Sequence, residues 1–235
     1  MSGSPVPILF FAPQTCARVI LTALEEVGEP FETRLIAFMA GEHRKPEFLA
    51  KNPSGKVPAL ETTEGVLVQT GAILLWLAET HPDARLLPET RTASDRAMIW
   101  SEIFRCSSDL HPLVTRFVMP QLIASAEDAP RIREKAAEAL AFQLAPVAAR
   151  LEQGGWYLGR EWSVLDPYLA WIWFRITDSG FDTDSFPAIG EHFSRAMERP
   201  SAKAALVREK EAETELQARG LLFRPSFSGP KENNA

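Results

Sequence analysis

Two cysteines and four histidines are the side chains of this 235-residue sequence that titrate closest to neutral pH. Cys16 follows an apolar run, Pro7–Phe11, and a loop, Ala12–Thr15, and it opens a segment with helical periodicity. A helix N-terminus carries about half a positive charge, which stabilises a thiolate. The same position also suits a small buried hydrophobe. Cys106, in Phe104-Arg105-Cys106-Ser107, lies inside a helical pattern with no such field. His111, in Asp109-Leu110-His111-Pro112, falls mid-helix or at a kink, because Pro112 disturbs the turn before it. It is either a proton-transfer group or a structural histidine. His43 stands beside Arg44 and Lys45, which together make either an anion clamp or a solvated charge run.

Three further segments could hold a ligand by its backbone or its charge. Pro58 follows Val57 at the start of an apolar run, where proline cannot donate to a ladder. A cis bond there would turn the Val57 backbone outward to pair with an extended ligand, whereas most X–Pro bonds are trans. Gln69-Thr70 precede a helical segment. Thr70 is the expected N-cap, and the uncapped N–H groups of that first turn suit a carboxylate. Ser163-Val164-Leu165-Asp166 has the spacing of a capping box ahead of an aromatic run. It reads as the structural start of a core helix, worth about 0.5–2 kcal/mol.

These residues need elements to place them. Pro7–Phe11 reads as a strand, Cys16–Val27 as a helix closed by Gly28, and Phe31–Phe38 as a second strand. Val57–Leu60 and Val66–Val68 read as strands joined at Glu64-Gly65, and Thr70–Thr80 as a helix. The fold class is therefore α/β plus all-α. Residues 1–81 form a βαβ-ββα domain, 82–92 a linker, 93–222 a helical bundle domain and 223–235 a loose tail. Helices are expected over 94–117, 129–153, 163–179, 186–198 and 201–218.

Composition narrows the function classes. Hydrophobic residues make up 46% and charged residues 24%, which excludes global disorder. The net charge of −6 argues against a general nucleic-acid binder. No stretch reaches the roughly 18–20 apolar residues of a membrane span. No metal-ligand spacing and no CxxC occur. The first 17 residues are uncharged but lack a basic leader, so a reducing, cytoplasmic setting is expected.

Taken in order, five stretches resemble the cytosolic glutathione transferases. They are Phe11-Ala12-Pro13-Gln14-Thr15-Cys16-Ala17-Arg18-Val19, Leu24-Glu25-Glu26-Val27-Gly28-Glu29-Pro30-Phe31, Asn52-Pro53-Ser54-Gly55-Lys56-Val57-Pro58-Ala59-Leu60, Gln69-Thr70-Gly71-Ala72-Ile73, and Ser163-Val164-Leu165-Asp166-Pro167-Tyr168-Leu169. Arg199-Pro200 adds a sixth point, and the likeness covers roughly residues 7–215. Cys16 and the Asp109-Leu110-His111 stretch are most similar to the bacterial beta class. The resemblance implies a thioredoxin-like first domain with a cis Pro58, a helical second domain and a homodimer.

It also implies glutathione as co-substrate, with no metal. Glutathione would pair with Val57 beside Pro58. Its γ-glutamyl end would meet Gln69 and Thr70, and its glycyl carboxylate would meet His43, Lys45 or Lys56. Cys16 and His111 would serve its sulfur, for conjugation to an electrophile or for thiol–disulfide exchange. An apolar second substrate would lie against Trp100, Phe104, Phe117 or Trp173, which are equally core candidates. Three positions depart from the family pattern. Gln69 replaces an acidic residue, Ala17 replaces a serine, and no tyrosine or serine ends the first strand. They keep a non-catalytic binding protein on this fold in view. A thioredoxin-type oxidoreductase is disfavoured by the single Cys16.

Overall fold

The computed structural model describes residues 6–222, and the tail expected over 223–235 lies outside them. The chain forms two compact units. The first runs to Glu89 and takes in the chain again from Met197; the second holds Thr90–Ala196.

In the first unit β1 (Ile8–Phe11), α1 (Ala17–Val27) and β2 (Glu32–Leu35) are followed by a short helix α2 (Pro46–Leu49). The hairpin β3 (Ala59–Thr62) and β4 (Gly65–Val68) and the helix α3 (Thr70–Thr80) come next. The four strands form one mixed sheet in the order β2-β1-β3-β4. β1 and β2 are parallel, and the other two pairs are antiparallel. This is the thioredoxin-like βαβ-ββα order. α1 stops where expected: Gly28 adopts φ 77°, and its N–H reaches the Leu24 carbonyl at 3.1 Å. The hairpin turn sits one residue earlier than expected. Gly65 is paired in β4 opposite Thr62, so Thr63-Glu64 make the turn.

One face of the sheet is sealed by Phe10, Ala12, Ile36, Phe48, Val57 and Ala59. Burying such side chains gives about 1.5–3 kcal/mol each relative to exposure. On α3, Ile73, Leu74 and Leu77 are fully buried within the chain itself. Leu75 and Trp76 of that helix are left partly exposed, Trp76 against the His81 ring at 6.0 Å.

The second unit is helical: α4 (Ala93–Phe104), α5 (His111–Val118), α6 (Ala129–Leu151), α7 (Leu165–Asp178) and α8 (Pro187–Met197). The expected single helix over 94–117 is interrupted. Arg105–Leu110 form a π-helical turn, and α5 restarts at His111 with Pro112 in its first turn. Pro112 has no N–H to continue an α ladder, so the wider turn absorbs the break. α4 begins with a true capping box that the linker reading passed over. The Asp95 N–H donates to Thr92 Oγ1 at 3.0 Å, and the Thr92 N–H to Asp95 Oδ2 at 2.9 Å.

The final helix α9 (Pro200–Ala218) packs on α1 and belongs with the first unit. The division at residue 93 therefore does not extend unbroken to 222. The reason is electrostatic as well as apolar. Arg18, Glu25 and Glu26 of α1 pair with Glu209, Arg208 and Arg199. Among the described residues no helix is long and apolar enough to cross a membrane.

Candidate functional site

Cys16 stands at the N-cap of α1, where the chain leaves β1. The loop before it is tightly folded: Thr15 Oγ1 donates to the Ala12 carbonyl at 2.7 Å, and the Ala17 N–H reaches Thr15 Oγ1 at 3.3 Å. Gln14 takes φ 63°, a left-handed conformation uncommon outside glycine.

Cys16 is 7% exposed, and its Sγ lies 3.8 Å from the Val57 carbonyl oxygen. Burial pushes its pKa up to about 11, only partly offset by a hydrogen bond with Thr70, a backbone hydrogen bond and the nearby Lys56 charge. Of the two readings left open for Cys16, a helix-end thiolate and a small buried side chain, the burial favours the second. Desolvation outweighs the helix field, so at neutral pH Cys16 is a thiol that donates. Cys106 is fully buried in the second unit against the Tyr157 hydroxyl at 3.8 Å, and burial pushes it up to about 12.

The Val57–Pro58 bond is cis, as the resemblance implies and against the general preference of X–Pro bonds. The segment leading to it is pinned by buried Asn52. Asn52 Nδ2 donates to the Lys56 carbonyl at 2.6 Å, and Ser54 Oγ donates to Asn52 Oδ1 at 2.7 Å. Gly55 closes the turn at φ 64°. A Cβ there would stand 2.9 Å from the His43 carbonyl oxygen, so only glycine fits.

Gln69, not Thr70, is the N-cap of α3. It is exposed, with φ 73° and ψ 119°, and its side chain caps nothing. A non-glycine residue held in that region is a mark of a functional constraint. Thr70 is the first helical residue, buried, with its side chain hydrogen-bonded to Cys16. The first-turn N–H groups of α3 therefore have no side-chain cap. Cys16, Val57 and Thr70 thus come together from three separate segments.

Lys56 is exposed beside them, while Lys45 and Arg44 are exposed on the segment after β2. His43 is half-buried, edge-on to Phe38 at 4.7 Å between ring centroids. Burial and the Arg44 charge push its pKa below the ordinary histidine value, which makes it a weaker partner for a carboxylate than the lysines. Its Nδ1 is buried without a hydrogen-bond partner.

His111 lies in the second unit at the start of α5. Its Nδ1 is 3.1 Å from the Tyr168 hydroxyl, and its ring packs edge-on to Trp171 at 4.6 Å. Of the expected apolar wall, Trp100 and Phe104 are exposed on α4. Phe117 and Trp173 are buried in the core of that unit, and Phe117 carries the Arg133 guanidinium 3.8 Å above its ring.

Asp166 is also more than a cap. It is fully buried, and α7 takes Val164 as its N-cap rather than Ser163. Asp166 Oδ2 accepts the Ser163 N–H at 2.7 Å and the Ser163 hydroxyl at 3.2 Å. Its Oδ1 lies 2.7 Å from both the Tyr157 N–H and His192 Nε2. Sequence reading missed Gln14, Tyr157 and His192. The positive φ of Gln14 has no residue-type signal, and the partners of Asp166 are 9 and 26 residues away. Among the described residues, no group of three or more His, Cys, Asp or Glu side chains could hold a metal.

The family model for the glutathione S-transferase N-terminal domain matches residues 6–79. The chain is 32% identical over 168 residues to a maleylacetoacetate isomerase of Pseudomonas aeruginosa, covering 70% of this chain and 77% of that protein. The bacterial beta class glutathione S-transferase of Sphingomonas chungbukensis superposes with a TM-score of 0.75 at 32% identity, over 86% of this chain and 98% of that one. A sphingomonad glutathione S-transferase complexed with glutathione gives 0.74 at 32% identity, over the same shares of the two chains.

Proposed function

Given that the chain belongs to the glutathione S-transferase family, we propose that it binds glutathione at the Cys16–Val57–Thr70 junction and activates its thiol. Glutathione is the family's co-substrate. The observation that carries the reading is the meeting of those three residues beside the uncapped start of α3. In this reading the backbone of Val57, next to Pro58, pairs with the extended peptide. Gln69 and the first-turn N–H groups of α3 take the γ-glutamyl carboxylate. Lys56 meets the glycyl carboxylate, with His43 and Lys45 farther along the same side.

The buried Cys16 thiol donates a hydrogen bond toward the glutathione sulfur. That lowers the sulfur's pKa without Cys16 itself ionising. A shift of two units would need about 2.7 kcal/mol of preference for the thiolate. The sulfur loses its proton to solvent. It then bonds to an electrophilic carbon of an apolar substrate as the leaving group departs. Thiol–disulfide exchange through Cys16 is the lesser route, because it requires a Cys16 thiolate. Isomerisation is a second reading, favoured by the isomerase name of the Pseudomonas relative. Product mass separates the two: a conjugate keeps glutathione, whereas an isomer does not.

Thr70→Val tests the site. The substitution keeps the volume but removes the hydroxyl that holds Cys16. Glutathione turnover is expected to fall about fivefold to tenfold, the scale of one lost neutral hydrogen bond. Unchanged turnover and affinity by calorimetry would refute the assignment of this junction.

The same reading includes a homodimer and a cytoplasmic location. Support for the dimer is the family membership, since α3 buries Ile73, Leu74 and Leu77 in its own chain. Light scattering at micromolar concentration is expected to give twice 26.1 kDa, and a monomer mass would remove the dimer from the reading.

A further inference from the structure

Gln14 and Arg18 stand two residues before and two residues after Cys16, and both are gripped by one carboxylate on the last helix. The Gln14 N–H donates to Glu209 Oε1 at 3.0 Å. Arg18 Nε donates to Glu209 Oε2 at 2.8 Å. The Gln14 side-chain amide donates to Glu213 Oε1, one turn farther along α9, at 2.8 Å. Glu209 is 2% exposed and Arg18 8%, so the pair is shielded from competing water.

A buried ion pair is poor evidence for stability, because desolvation offsets its attraction. It is better evidence for a fixed geometry. Here the geometry needs fixing. Gln14 is held in the left-handed region at φ 63°, where a glutamine does not settle unaided. The next residues set where the Cys16 thiol points. Within the loop the Thr15 N–H and hydroxyl both return to the Ala12 carbonyl, while the Gln14 N–H is aimed at Glu209.

We propose that Glu209 is a positioning residue for Cys16, holding the Gln14–Arg18 segment so that the thiol faces the Val57–Thr70 junction. Glu213 supports it through the Gln14 side chain. The inference rests on Cys16 serving the glutathione sulfur. It adds that the loop's own hydrogen bonds are completed by α9, about 190 residues later in the sequence. Burial pushes the Glu209 carboxyl above the usual glutamate range, against the pull of Arg18, as expected for a group kept in place for its geometry.

The test uses the full chain with Glu209→Ala, the near-isosteric Glu209→Gln and the double variant Gln14→Gly/Glu209→Ala. Glu211→Ala, an exposed change on the same helix, is the control. The first readout is N-ethylmaleimide alkylation, mapped by mass to Cys16 or Cys106. It reports the loop whether or not glutathione binds. The second is turnover of glutathione with a chlorodinitrobenzene, separated into kcat and the glutathione KM.

Glu209→Ala is expected to speed Cys16 alkylation at least tenfold while Cys106 stays protected. Its kcat should fall about tenfold, with the glutathione KM changing less than twofold. Glu209→Gln, which keeps an acceptor but not the charge, should lie between it and the wild type. Gln14→Gly in the Glu209→Ala background should raise kcat at least threefold, because glycine enters the left-handed region without steric cost. A merely structural role would not be rescued from within the loop.

The proposal is overturned if folded Glu209→Ala and Glu209→Gln alkylate at the wild-type rate. It is also overturned if their loss lies in KM alone, or if glycine at position 14 gives no recovery. Failure of the functional reading shows differently: the wild type would then neither turn over nor bind glutathione, while the alkylation series would still decide the role of Glu209.

Discussion

Asp166→Ala is expected to be the most destabilising single substitution among the residues discussed. The carboxylate accepts from the Ser163 N–H and hydroxyl, the Tyr157 N–H and His192 Nε2, all inside the second unit. Alanine would leave two backbone N–H groups and an imidazole buried with no acceptor. Each such group costs about 1–3 kcal/mol, so a loss of roughly 3 kcal/mol or more is expected. That is a large share of the about 5–15 kcal/mol that holds a typical domain together. It exceeds the capping-box range expected from the sequence, because the partners at 157 and 192 add to the cap. The denaturant midpoint should fall steeply, or the protein should be recovered unfolded. Any folded fraction should bind glutathione with near-native affinity, because none of these partners belongs to the first unit. A midpoint shift worth less than about 0.5 kcal/mol would mean that the network contributes no more than a surface substitution does.

The second large effect concerns the chemical state of Cys16. A thiol whose pKa rises from 9.0 to about 11 presents about a hundredfold less thiolate at neutral pH than the same thiol in water. Alkylation of Cys16 in the glutathione-free protein should therefore be slow at pH 7. It should climb tenfold per pH unit and level off only near pH 11. Cys106 should lag behind it throughout. Protein prepared without reductant should carry little disulfide-linked glutathione, and what there is should map to Cys16 and vanish with dithiothreitol. Cys16→Ala should abolish that adduct yet keep part of the conjugating activity, since glutathione's own sulfur attacks. Two results would sink this account: an alkylation midpoint near pH 7, or an adduct found on Cys106 alone.

The residues that carry the fold were legible because their signals are local. Val19, Ile20, Ala23, Leu24 and Val27 announce α1, and Gly28 ends it at φ 77° within one turn. The two β-type runs around Glu64-Gly65 announce the hairpin, although the turn type shifts its centre by one residue. Cys16, Val57 and Thr70 were legible as site candidates by motif. Their meeting depends on three segments coming together at one end of the sheet, and no spacing expresses that. The state of Cys16 stayed open between two readings for a physical reason. The helix field is visible in the sequence, but the burial that overrides it depends on the folded surroundings. Thr92 and Asp95 show the opposite error. Their box has a plain T-x-x-D spacing, yet the surrounding prolines drew attention to the linker instead. The Arg105–Leu110 turn leaves only Pro112 as its trace.

The return of α9 to the first unit has a consequence for synthesis. The β1–α3 segment leaves the ribosome early, with Arg18, Glu25 and Glu26 already on α1. Their partners Glu209, Arg208 and Arg199 come more than 170 residues later. At about 5–20 residues per second, the stretch from 89 to 218 takes roughly 6–26 s to appear. During that interval the face of α1 that α9 covers stands open. The nascent first unit is then sheet and helices without its last wall, and it is complete only when the end of the helical sequence has been made.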